Sequence, residues 1–140
     1  KENINPIIKN VEKINTNTLL RRLLTHSENI WREVRLENKS ELLCCVNTEG
    51  HFIYICPNHS SVMGYDSTEL CGVYAFDFIH PDEIEIMQNN FVEIIETRQP
   101  KELIYRIMEK RGYWLNIKSI CVPYFVDGEV VALIIFSNRV

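Results

Sequence analysis

Residues 46–72 read VNTEGHFIYICPNHSSVMGYDSTELCG, and the order of turn, strand and broken helix in this stretch decides the fold. Asn47-Thr48-Glu49-Gly50 carries turn chemistry, since glycine tolerates positive φ. Phe52-Ile53-Tyr54-Ile55 follows as a strand, and Pro57 ends it by removing a backbone donor. Beyond Pro57, the breaks at Gly64, Asp66-Ser67 and Gly72 leave only short helical turns, one of them starting at Ser67 with Glu69-Leu70 behind it.

Working outward, Leu42 to Val46 is a run of branched and thiol side chains that suits a buried strand, and with the Phe52 strand it predicts a hairpin. Downstream, His80-Pro81-Asp82-Glu83 predicts a helix start, with proline in the first turn and acids near the positive end of the dipole. Ile84, Met87, Phe91, Ile94 and Ile95 continue at helical spacing to about Thr97, and Gln99-Pro100 breaks the pattern. Three strands are expected after it, from about Leu103, Tyr113 and Glu129. The turns between them are Lys110-Arg111-Gly112 and Val126-Asp127-Gly128, and Asp-Gly is a strong hairpin signal.

Upstream, Leu20, Leu23, Leu24, Ile30, Trp31 and Val34 recur at three- and four-residue steps, the stripe of an amphipathic helix. Asn15-Thr16-Asn17-Thr18 offers capping side chains before it, and a shorter helix is expected from about Ile7 to Ile14. The pattern fades at the polar stretch Glu37-Asn38-Lys39-Ser40. The expected division is therefore an N-terminal helical extension over 1–38 and a sheet-containing domain over 39–140.

Bulk properties narrow the function classes. Hydrophobic residues at 46% and charged residues at 24% are ordinary for a globular domain able to bury its own core. The net charge of −4 lacks the basic footprint of a nucleic-acid binder. The longest apolar run, Val130 to Phe136, is far short of a membrane span, so neither nucleic-acid nor membrane contact is expected. The cysteines, Cys44, Cys45, Cys56, Cys71 and Cys121, are odd in number and contain no CxxC pair, which reads as reduced thiols in a cytoplasmic setting and no metal centre. Cys44 and Cys45 are adjacent on a strand, so they point to opposite faces. No nucleophile–base arrangement, HExxH or phosphate loop occurs, and no catalytic residues are expected. The chain begins without Met and ends just past an apolar run, as a piece of a longer protein would.

Three segments together resemble the PAS domain family: Val46 to Gly72 with Gly64-Tyr65 and Glu69-Leu70-Cys71-Gly72; the FDFIHPDE stretch from Phe76 to Glu83; and the last three strands, Tyr105 to Phe136, with Arg106, Gly112, Trp114 and Asp127-Gly128. The resemblance runs from about Glu41 to Asn138. It departs from the family pattern at Cys56, where Asn is frequent, at Asn47 and Arg111, where Asp is frequent, and at the C-terminal end, which lacks an Asp-Ile-Thr triplet.

The resemblance implies an α+β fold, a five-stranded antiparallel sheet with helices on one face, and a sensory, signal-transducing module. Its expected ligand pocket draws Phe52, Tyr54 and Cys56 from the second strand and Phe76, Phe78, Phe91 and Ile95 from the helical side. Tyr105, Ile107, Leu115, Ile117, Ile134 and Phe136 are expected from the last three strands, and a one-residue slip in register would invert a face. The bland reading of the same residues is a filled core. The family's covalent flavin chemistry is not expected, because Tyr74 to Ile79 contains no cysteine. Haem needs an axial ligand and is not the expected cofactor: His80 reads as a helix-start residue, His51 lies in a solvated turn, and His59 and His26 have no partner at ligand spacing. The expected ligand is thus an unidentified small molecule, with no cofactor assured. The expected partners are a second copy, through the Leu20–Val34 stripe, and an effector domain of the same parent chain. That parent would be a two-component kinase, a cyclic-dinucleotide enzyme or a transcription regulator. Two other readings stay open: a ligand-free dimerisation or interaction module, and a haem or redox sensor.

Overall fold

The turn at Asn47 sets the first hairpin of the computed structural model, which describes residues 40–140. β1 (Leu42–Asn47) and β2 (Phe52–Ile55) pair antiparallel across it. Asn47 is buried, and its Oδ1 accepts from the backbone N–H groups of Glu49 and His51, both at 3.0 Å, so the side chain stands in for turn backbone. Gly50 has φ +91°, and a Cβ there would lie 3.0 Å from the Tyr74 ring. Only glycine meets both demands. The expected extension over 1–38, with Leu20, Leu23, Leu24, Ile30, Trp31 and Val34, lies outside the described residues.

After β2 the chain breaks as its composition predicts, into α1 (Asn58–Met63), α2 (Ser67–Leu70) and a 3-10 turn (Ala75–Phe78). The Glu69 carboxylate reaches back to the Asp66 N–H at 2.8 Å and closes the start of α2. α3 (Ile84–Thr97) begins four residues later than His80. The reason is docking: the His80 N–H donates to the Arg106 carbonyl at 3.0 Å and Ile79 bridges Ile107, which holds the segment against the sheet edge before the helix can start.

β3 (Lys101–Met108), β4 (Trp114–Val126) and β5 (Glu129–Arg139) complete the sheet. Asp127 and Gly128 have φ of 51° and 81°, the paired positive values of a tight two-residue hairpin. The strand order is β2-β1-β5-β4-β3, all antiparallel. The first and last strands are therefore central neighbours, with Leu42 opposite Ser137. Pro123 is tolerated within β4 because β3 pairs only as far as Cys121, leaving Pro123 without a ladder on that side.

Both sheet faces bury apolar side chains. On one face Val46, Leu133, Leu103 and Cys121 pack with Phe76, Ile79, Met87 and Ile94 of the helical layer. On the other, Cys45, Val122, Tyr124, Ala132, Ile134 and Phe136 form a separate cluster.

Candidate ligand cavity

Between the sheet and the helical layer lies a cavity of about 90 Å³. Strand alternation builds its floor: Leu42, Cys44 and Val46 of β1, Ile135 and Ser137 of β5, Ile117 and Cys121 of β4, and Leu103, Tyr105 and Ile107 of β3. The roof comes from His59 and Met63 of α1, from Ala75, Phe76, Phe78 and Ile79, and from Met87, Phe91 and Ile94 of α3; Phe52 and Gly50 close one side. Phe76 meets Phe91 edge-on at 5.4 Å, which keys the 3-10 turn to α3.

The polar lining is sparse. The Tyr105 hydroxyl is 2.6 Å from Ser119 Oγ, which is 2.6 Å from Ser137 Oγ. Burial, with the Cys121 thiol nearby, pushes the Tyr105 phenol well up, so it stays neutral. Burial likewise raises the Cys44 thiol and pushes Cys121 up to about 12. His59 is buried, and burial lowers its pKa against the opposing pull of the Cys56 carbonyl. No Asp, Glu, Lys or Arg lines the cavity, which is therefore uncharged.

Residues 52–136 match the family model described as the PAS fold. The chain belongs to the PAS fold family. It is 27% identical to the Aryl hydrocarbon receptor nuclear translocator homolog of Drosophila melanogaster over 67% of this chain and 15% of that protein. It is 27% identical to the White collar 1 protein of Neurospora crassa over 78% of this chain and 9% of that protein. The chain thus spans a small part of the curated relatives it matches. Among solved structures, the N-terminal domain of a diguanylate cyclase with PAS/PAC sensor from Marinobacter aquaeolei aligns with TM-score 0.63 and 26% identity, over 70% of this chain and 93% of that one. Drosophila melanogaster Cycle PAS-B with bound ethylene glycol aligns with TM-score 0.67 and 16% identity, over 71% and 99%, and shares the fold.

Of the residues expected to line a ligand pocket, Phe52, Phe76, Phe78, Phe91, Tyr105, Ile107 and Ile117 line this cavity. Tyr54, Ile134 and Phe136 belong to the opposite face. For Tyr54 the cause is a bulge: Val46 pairs with Phe52 and Cys45 with Tyr54, so Ile53 is an extra residue and the alternation of β2 inverts. In β5 the cavity side is Ile135 and Ser137, one step from the expected set. Ile95 packs in the inner cluster without reaching the cavity, and Leu115, opposite Ile107, does not reach it either. Cys56 lies past the end of β2, where its Sγ accepts from the Leu43 N–H at 3.3 Å.

The histidines take different places, and His80 keeps the helix-start role read for it. His51 is not merely solvated: its Nδ1 is 3.0 Å from the Gly72 carbonyl oxygen and its ring sits 5.3 Å from that of Tyr74. His80 Nδ1 accepts from the Asp82 N–H at 3.1 Å and its ring lies 4.5 Å from Trp114, outside the cavity. His59, read as having no partner at ligand spacing, has its Nδ1 3.1 Å from the Cys56 carbonyl oxygen and lines the cavity. The signal that could have found it is its place in the short helix directly after the strand that Pro57 ends. Cys44 and Cys121 both oppose Ile135 from the strands either side of β5, and two strand spacings, roughly 9–10 Å, are too wide for a disulfide.

Among the described residues, no group of three or more His, Cys, Asp or Glu is placed to hold a metal ion, and no helix is long and apolar enough to cross a membrane.

Proposed function

We propose that this PAS domain is a sensory module whose cavity takes a small molecule, and that the bound molecule shifts the packing of the helical layer on the sheet. The shift passes through the flanking segments to an effector domain of the same parent protein. The N-terminal stripe with Trp31 serves to pair two copies, and the module itself carries out no reaction. The observation that supports this reading is the cavity itself. Protein interiors are close-packed, and an apolar space of about 90 Å³ forfeits dispersion contacts along its whole lining unless something fills it. The size also argues for a metabolite smaller than haem or flavin, since pockets for drug-sized ligands run to roughly 300–1,000 Å³. The Cycle PAS-B structure holds ethylene glycol, a small uncharged molecule of that order.

Native mass spectrometry of the 140-residue chain, compared with the same sample denatured, tests the reading. The expected result is a mass excess that disappears on denaturation, and its size identifies the ligand class. A bare mass at twice the chain weight in every preparation, including those exposed to cell extract, would replace the sensor with the ligand-free assembly module.

A further inference from the structure

Three hydroxyls stand in a row at one end of the cavity. Two hydrogen bonds link Tyr105, Ser119 and Ser137, and these consume two of the three hydroxyl protons. Ser119, in the middle, is 0% exposed, while the two ends, Tyr105 and Ser137, line the cavity. The two terminal hydroxyls are near enough to influence each other, but no short hydrogen bond joins them, so the proton at one end of the row is held by no short bond among the described residues.

His59 supplies the opposite half. It is 4% exposed and lines the same cavity. The Cys56 carbonyl oxygen beside its Nδ1 can only accept, so Nδ1 carries the proton and Nε2 holds a lone pair. Nε2 has no donor among the described residues. The two features share one end of the sheet: Ser137 pairs with Leu42, and the Cys56 N–H donates to the neighbouring Leu43 carbonyl at 2.9 Å, three residues before His59. A buried donor and a buried acceptor left unpaired each cost free energy, and native structures rarely leave such groups unexplained.

One functional group answers both. A hydroxyl accepts from an O–H and donates to an imidazole nitrogen at once. We infer that the cavity takes a small uncharged aliphatic alcohol, its hydroxyl held between His59 Nε2 and the Tyr105–Ser119–Ser137 row and its apolar body against Ile117, Ile135 and Phe91. The inference rests on the sensor reading above and names its ligand class. The volume sets the size, because a cavity of roughly 150 Å³ takes benzene and this one, at about 90 Å³, is smaller. The raised phenol and the lowered imidazole keep both anchors neutral, and nothing in the lining offsets a ligand charge.

The test titrates the full chain with four molecules of about four non-hydrogen atoms each, a size scaled down from benzene to this volume: 2-propanol, acetone, isobutane and isopropylammonium. Methyl NMR of Ile117, Ile94 and Ile135 is the readout. 2-Propanol is expected to bind about tenfold or more tightly than isobutane, with the ketone between them and the cation not binding. Tyr105→Phe combined with Ser137→Ala is expected to erase the preference for the alcohol while hydrocarbon binding persists. Should that pair fail to fold, Ser137→Ala alone is read for a reduced preference. Equal binding of alcohol and hydrocarbon, or binding of the cation, overturns the inference and leaves the sensor reading standing. Unmoved cavity methyls with all four probes overturn both.

Discussion

His59 joins the fold to the cavity through one ring, and its protonation is set by where it lies. Burial lowers its pKa, so the unfolded chain takes up a proton that the folded chain resists. The unfolded state then binds more protons below the ordinary histidine value, about 6.5, and stability rises with pH across that window. It is complete above that value and declines as pH falls through it toward the lower folded pKa. Urea unfolding is expected to shift to lower midpoints between about pH 7 and pH 5, and His59→Asn to flatten that slope. The lowered carboxylates of Glu41 and Glu69, paired with Arg139 and Lys110, act in the same direction but below the ordinary carboxylate range. The window above about pH 5 therefore reports the imidazole. A midpoint unchanged from pH 7 to pH 5 would remove the argument that this ring is folded in neutral.

At the scale of elements, the edge of the sheet is where sequence and structure part. β3 is an outer strand, and its exposed edge is managed by the segment before α3. Ile79 bridges Ile107, His80 donates to Arg106, and Glu83 receives the Arg106 backbone N–H at 2.8 Å while pairing with its guanidinium at 3.0 Å. Burial pushes the Glu83 carboxyl up, but the Arg106 hydrogen bonds outweigh it and the net shift is down. This contribution is present above the ordinary carboxylate value and lost as pH falls through the lower folded one. Glu83→Ala should destabilise by about 1–2 kcal/mol, chiefly through the unpaired backbone donor, since a half-exposed ion pair adds little. Glu83→Gln, whose amide oxygen can still accept, should cost less, and equilibrium urea unfolding of the two variants checks the order.

The same scale explains what the sequence could carry. Asp127-Gly128 and the Phe52–Ile55 run were legible because turn chemistry and β-branched composition are local. The helix start at Ile84 was not, because the docking of His80 on Arg106 is a tertiary contact. The bulge at Ile53 leaves no mark in FIYI, where every residue suits a buried face. β5 presents VVALIIF, apolar on both sides because both faces of the sheet are covered by cores, so periodicity could not choose between Ile134 and Ile135. The seven expected lining residues that do reach the cavity are mostly those whose element has one polar face or sits in the helical layer.

At the scale of the whole molecule, the sheet order decides what the cavity can report. β1 and β5 are central neighbours, so the two ends of the described domain lie together, at Leu42 and Ser137, beside the polar end of the cavity. A ligand at that end would touch the first and last strands of the described domain. If the cavity exists for a ligand, filling it with protein should cost function and not stability. Cys121 sits mid-sheet beneath it, buried, with its thiol neutral. Cys121→Leu adds about two heavy atoms' worth of branched hydrocarbon to the space, and cavity filling of this kind commonly adds roughly 0.5–2 kcal/mol. For a domain of this size that corresponds to a Tm higher by about 2–10 °C. The same variant should lose the native mass excess and the alcohol-induced shift of the Ile117 methyl. A rise in Tm with ligand binding intact would mean that the ligand sits elsewhere. A fall in Tm would mean that the sheet and helical layer have no slack to fill, which removes the space on which the sensor reading stands.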